Sequence, residues 1–203
     1  DRQRFERVAD RRQHVLFGLK SVAGEGRRAL TVALQHPAFD FLRSGAELDS
    51  HRVPPHRVNH RANLWALKEA GADRILATSS VGSLKVPIRP GTFVVPHDYV
   101  AFWNIPTFFD EEVRHVTPSM DEGLRKVLLA AAWTAKARAA AKGVYVQATG
   151  PRLETKAEIA FFKTLGDVVG MTVASEATLA AELGIPYAAL CSVDNYCHGL
   201  TPK

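Results

Sequence analysis

Cysteine is scarce in this chain: only Cys191 and Cys197 occur in 203 residues. Two thiols make neither a disulfide scaffold nor a four-ligand zinc site, so a reduced, cytoplasmic compartment is expected. No apolar run approaches the roughly 18 residues a membrane span needs. The opening segment DRQRFERVADRRQ has no apolar centre, so no secretory signal is expected there. Neither an internal repeat nor a low-complexity linker interrupts the sequence. What is present is ordinary for a globular protein: 46% hydrophobic and 23% charged residues. A chain of this length is expected to form one domain and to bury roughly 70% of its unfolded surface.

The formal charge is +5. A basic excess suits nucleic acid or anionic small molecules. Arginines cluster at residues 2–12 and again at Arg27 and Arg28. Charge runs of this kind are usually solvated faces. No zinc-finger spacing or aromatic-rich RNA-binding signature accompanies them, so nucleic acid is not an expected partner.

The pattern changes near residue 50. Before it the chain is irregular: FGLKSVAGEGRR, then ALTVAL and FDFL as short strand candidates. After it, strands and helices alternate. Asn59 caps a helix running through Ala70, with Leu64 and Leu67 inward and Gly71 as its stop. RILATSS (74–80) reads as a strand entering a small-residue turn, and FVVPHDYV (93–100) as another. Leu124, Val127, Leu128, Ala131 and Ala135 recur at helical spacing, predicting one helix from Asp121 to Gly143. VYVQATG, DVVGMT and YAALCSVDN read as strands, ETKAEIAFFKTLG and ASEATLAAELG as helices. Such alternation predicts an α/β sandwich, a central mixed sheet flanked by helices in a single domain over 1–203.

Ligands of α/β folds gather at the carboxyl ends of strands. Four predicted ends carry polar or special groups: Ser79-Ser80, Gly150 to Glu154, Met171-Thr172, and Asp194-Asn195. If these ends converge they form one pocket. Taken singly, each also reads as turn chemistry.

Three long segments, in order, carry a family resemblance: VPPHRVNHRANLWALKEAGADRILATSSVGSL, GPRLETKAEI, and GMTVASEATLAAELGIPYAALCSVDN. Together they resemble the trimeric purine nucleoside phosphorylases, in the methylthioadenosine and methylthioinosine phosphorylase branch. The resemblance covers residues 51–200, with 1–50 divergent. It implies phosphate-dependent cleavage of the N-glycosidic bond of a purine nucleoside. The products are the base and ribose 1-phosphate or its 5-methylthio analogue. It also implies a homotrimer with active sites near subunit boundaries. Phosphate is a co-substrate; no cofactor, metal or covalent enzyme intermediate is implied, and no membrane partner.

The resemblance carries roles onto matching residues. Ser79, Ser80 and Thr172 would donate to phosphate, and Met171 would pack against the sugar. Glu154 lies where 6-oxopurine enzymes carry a glutamate, able to accept from N1–H of hypoxanthine or guanine. Asn195 lies where those enzymes place an asparagine, able to donate to O6 or N7. Adenine-preferring relatives tend to use Asp there, with a second Asp where this chain has Cys197. Leu153 would wall the base. His115, in RHVTPSMDEGLR, matches a histidine directed toward the 5′ substituent, commonly of the neighbouring subunit. Phe102, Trp103, Phe108 and Phe109 suit a 5′ pocket, a core or a subunit contact. Structural readings stand beside these: Glu154 as a helix N-terminal carboxylate, His115 as a surface residue, Met171-Thr172 as core.

Two departures stand out. Relatives carry a GGSG-type phosphate turn, which FGLKSVAGEG does not match. They also carry Arg-His-Gly where this chain has Arg43-Ser44-Gly45. Arg43 retains the phosphate-binding charge, the histidine is absent, and Arg52 or His51 stands nearest to compensate. By the resemblance, Lys203 is expected to stand before the final helices that relatives use to close the sugar pocket. The expected substrates are 6-oxopurine nucleosides: inosine, guanosine or 5′-methylthioinosine. The alternatives are an S-methyl-5′-thioadenosine phosphorylase or a non-catalytic purine-binding homologue.

Overall fold

The structure is a computed structural model that describes residues 54–103 and 105–200 and the backbone of 30–31. In chain order the elements are β1 (Leu30–Thr31), a 3-10 turn (Pro55–Arg57), α1 (His60–Glu69), β2 (Ile75–Ser83), β3 (Phe93–Val94), β4 (Asp98–Val100), α2 (Glu122–Thr134), β5 (Ala139–Ala140), β6 (Val144–Gln147), α3 (Lys156–Leu165), β7 (Val168–Gly170), α4 (Val173–Glu182) and β8 (Tyr187–Tyr196). The strands form one mixed sheet in the order β4-β6-β7-β2-β8-β3-β5, with β1 parallel to β2. Most of ALTVAL, all of FDFL and the Gly-containing front segment lie outside the described residues, as do Arg43, His51 and Arg52.

β2 and β8 run side by side in parallel at the sheet centre. Both are built from small and apolar residues because both faces are covered. Alternation sorts their side chains. Ile75, Ala77, Tyr187, Ala189, Cys191 and Val193 join the core cluster of α1 and α4. Leu76, Ala188 and Leu190 face the opposite way, with Leu124, Leu128 and Ala131 of α2. Ile159 and Phe162 of α3 cover Val146 of β6 and Val169 of β7. The expected sandwich of sheet and flanking helices is what forms. No helix among the described residues is long and apolar enough to cross a membrane.

Three predicted elements differ. The small-residue turn expected at SSVGS does not form, because those residues pair on both sides and β2 runs on to Ser83. The helix expected to reach Gly143 ends at Thr134. Lys136 turns left-handed at φ 51°, its N–H donates to the Trp133 carbonyl, and that of Ala137 to Ala132. That pair of bonds is a Schellman stop. The alanines beyond it keep helical spacing but are drawn into β5 beside β3. The strand expected over 93–100 is divided at Val95–His97, where Pro96 offers no N–H to a ladder. Its halves serve distant positions in the order: β3 pairs with β8, β4 with β6. A link this short spans on the order of 10 Å, so the sheet must curl to bring those ends together. Arg125, 4% exposed, reaches from α2 to the break. Its Nε donates to the Pro96 carbonyl at 2.8 Å and its Nη2 to that of Val95 at 3.3 Å.

Candidate active site

The second half of β2, the carboxyl ends of β7 and β8 and the segment before α3 meet around a cleft of about 280 Å³. Ser79, Ser80, Leu153, Glu154, Met171, Thr172 and Asn195 all line it. Every site residue proposed from sequence is therefore there except Arg43 and His115. Arg43 lies outside the described residues, and His115 stands on an exposed segment that lines neither this cleft nor its neighbour.

A bulge shapes the floor. β2 and β8 lose register after Val81 and Val193, so Gly82 pairs with Asn195 and Asp194 is the extra residue. Such bulges re-aim side chains. Here the Asp194 carboxylate accepts from Ser80 Oγ through one oxygen and from Ser192 Oγ at 2.9 Å through the other. Ser79 Oγ donates to the Ser80 carbonyl at 3.3 Å. A serine has one hydroxyl proton. The Ser80 proton is thus directed into the protein, and its hydroxyl offers the cleft lone pairs. Thr172 differs. It is the N-cap residue of α4, yet its side chain makes no capping bond.

The N-terminus of α4 is satisfied from elsewhere. Tyr145 Oη accepts from the N–H of Thr172 at 3.2 Å and of Val173 at 3.4 Å. Gln147 Oε1 accepts from Ser175 N at 3.1 Å, and Gln147 Nε2 donates to Ser175 Oγ at 2.6 Å. Neither Tyr145 nor Asp194 carried a signal of its role in the sequence; each acts through a partner far along the chain.

At the other end of the cleft, α3 starts with a capping box. Thr155 Oγ1 accepts from Glu158 N, and the Glu158 carboxylate accepts from Thr155 N at 2.7 Å and from Arg152. Arg152 and the capping bonds hold the Glu158 carboxyl at about 2. With the cap occupied by Thr155 and Glu158, Glu154 is released to line the cleft. It is half-buried, and burial raises its carboxyl above the usual range, with the Glu158 charge adding and Arg152 opposing. Asn195 is exposed, and its Nδ2 donates to the Tyr196 carbonyl at 2.9 Å, which leaves a second amide proton. Leu153 is 74% exposed at the rim, a wall on one side only. Cys197 is buried beside Gly82, its thiol pushed up to about 12 by burial and by the Glu154 charge.

A second cleft of about 460 Å³ adjoins the first, sharing Pro55 and Met171. Trp103 lines it, with its ring 6.1 Å from that of Phe162. Phe108 instead packs on the core and lies 5.9 Å from Trp65. His60 on its wall stands 3.9 Å from Glu176, a buried carboxyl that also accepts from Tyr187 Oη at 2.8 Å. Burial lowers His60 to about 4 and raises Glu176 to about 8, so both are uncharged near neutrality.

The family model described as the phosphorylase superfamily matches residues 27–203. The match extends the resemblance seen from residue 51 back into the divergent front. The chain is 48% identical over 148 residues to the "Probable 6-oxopurine nucleoside phosphorylase" of Archaeoglobus fulgidus, covering 72% of this chain and 61% of that protein. It is 48% identical over 158 residues to the "Probable S-methyl-5'-thioinosine phosphorylase" of Methanothermobacter thermautotrophicus, covering 75% of this chain and 55% of that one. The chain therefore spans less than two thirds of the length of these relatives. Among solved structures, a mutant adenosine/methylthioadenosine phosphorylase from Schistosoma mansoni in complex with adenine superposes with a TM-score of 0.67. That structure is 32% identical, over 73% of this chain and 64% of its own. By sequence and by fold, the chain belongs to the phosphorylase superfamily.

Proposed function

We propose that this protein is a purine nucleoside phosphorylase acting on 6-oxopurine nucleosides: inosine, guanosine or 5′-methylthioinosine. The observation that carries the reading is the meeting of Ser79, Ser80, Leu153, Glu154, Met171, Thr172 and Asn195 at one cleft. Thr172 donates its hydroxyl proton to the phosphate. Met171, between the two clefts, packs against the sugar. Leu153 lies along the purine, Glu154 accepts from its N1–H, and Asn195 donates to O6 or N7.

The chemistry then follows from position and charge. The C1′–N9 bond breaks and its electrons pass to the purine, while a phosphate oxygen forms the new bond to C1′. The sugar is cationic in between, and the phosphate anion beside it balances that charge. Asn195 stabilises the charge arriving on the base. A donor of this kind, placed where charge develops, contributes about 2.7–4 kcal/mol. The remaining catalysis is alignment. Phosphate is a co-substrate, and no further cofactor enters this reading.

The proposal extends to a homotrimer in the cytoplasm, engaged in purine salvage. In it His115 and the exposed aromatics Phe102 and Trp103 meet the neighbouring subunit, completing the 5′ end of the site. The test is release of hypoxanthine from inosine and from 5′-methylthioinosine, with and without phosphate, and of adenine from methylthioadenosine alongside. Phosphate-dependent hypoxanthine release is expected. Equal rates without phosphate would make the protein a hydrolase. Preference for methylthioadenosine would overturn the roles given to Glu154 and Asn195. A folded sample inert on all three would favour a purine-binding homologue.

A further inference from the structure

Tyr145 does not line the cleft, yet its hydroxyl stands against the start of α4, where Thr172 walls the phosphate end. It is fully buried. Its oxygen accepts the N–H groups of Thr172 and Val173. A phenol oxygen has two lone pairs, so these two donors occupy both. Burial pushes the phenol well up, keeping the proton in place.

The arrangement replaces a helix cap. The first N–H groups of a helix have no partner within it. Thr172 makes no side-chain capping bond. Tyr145 and Gln147, two positions apart on β6 and so on one face, supply the acceptors instead. An open helix N-terminus receives anions on its backbone N–H groups. Here those donors are turned into the core, and the Thr172 side chain is what α4 presents to the cleft.

We propose that Tyr145 is a positioning residue for the phosphate end of the site, tying β6 to the start of α4 at Thr172. The proposal rests on the phosphorolytic reading for its kinetic consequence, but not for its geometry. Gly170 is its steric complement. A Cβ there would overlap the Tyr145 hydroxyl and lie 2.8 Å from Cζ. The residue before Met171-Thr172 is therefore a glycine so that the hydroxyl can pass beneath the backbone.

The test is Tyr145→Phe, which keeps the ring and removes the tie. The KM for phosphate is expected to rise roughly tenfold while the KM for the nucleoside stays within about twofold, since the loss leaves buried donors unpaired at one end only. An unchanged phosphate KM in a folded variant would overturn the proposal. So would equal rises in both constants, which would mark general loosening. Amide hydrogen exchange of the unmodified protein tests the geometry by itself: the Thr172 and Val173 amides should exchange slowly with or without phosphate. Fast exchange that slows when phosphate is added would place those donors on the ligand and overturn the tie, even if the variant fails to fold. Absence of phosphate-dependent turnover in the unmodified protein would defeat the functional reading instead, leaving the exchange result to decide the tie.

Discussion

Gly170 lies against the Tyr145 ring so closely that a Cβ would fall 2.8 Å from Cζ and 2.9 Å from Cε2. Real Cβ atoms do not approach so near, and the ring is fully buried with nowhere to go. Gly170→Ala is expected to lower stability by about 1–3 kcal/mol, the usual cost of overpacking a core. Urea unfolding measures it. A midpoint equal to that of the unmodified protein would mean that the ring has room to move.

The buried pair His60 and Glu176 gives stability an uneven dependence on pH. Glu176 titrates near 8 in the fold against an ordinary 4.5, so by itself it makes stability fall as pH rises between those values. His60 titrates near 4 against an ordinary 6.5, so by itself it makes stability rise with pH over that range. Between about 4.5 and 6.5 the folded state holds a proton on Glu176 and the unfolded state one on His60, so the two effects cancel. From 6.5 to 8 only the Glu176 effect remains, and stability should fall by about 1.4 kcal/mol per pH unit. Glu176→Gln should abolish that fall and uncover the rise at lower pH. Unfolding curves across this range decide it; parallel profiles for the two proteins would refute the neutral pair.

The hydroxyls at the proposed phosphate end should be unequal. Ser80 gives its proton to Asp194, whereas Thr172 makes no side-chain capping bond. Thr172→Ala is expected to raise the phosphate KM roughly 10- to 150-fold, the worth of a hydrogen bond to a charged group. Ser80→Ala should change it much less. Steady-state kinetics at varied phosphate compares them, and the reverse order would show that Asp194 releases Ser80 when phosphate binds.

Lys136 ends α2 in a conformation that favours glycine, with φ at 51°. Lys136→Gly should stabilise the protein by about 1 kcal/mol by removing the strain of a left-handed residue with a side chain. Thermal unfolding gives the sign directly. A loss of stability would mean that the lysine stem contributes more packing than the backbone strain costs.

Local chemistry made much of the fold legible. Asn59, Asp121 and Thr155 each accept from an N–H three residues on, and a cap needs no partner from elsewhere. The even apolar character of β2 and β8 identified them as strands covered on both faces. The end of α2 is hidden in the sequence because alanines keep helical spacing whether or not the helix continues. The division of the strand over 93–100 is hidden as well, because a single proline leaves the apolar run intact on either side.

The site divides along the same line. The sequence determined which side chains line the cleft: Ser79 and Ser80 stand within β2 and Asn195 near the end of β8, Met171 and Thr172 follow β7, and Glu154 precedes α3. Only the tertiary structure decided which way their protons point. Asp194 takes that of Ser80 because a bulge over a hundred residues away in sequence turns it inward. Tyr145 takes the α4 amides because β6 passes beneath that helix. Hydrogen-bond direction depends on what lies within about 3 Å in space, and spacing along a chain does not report that distance.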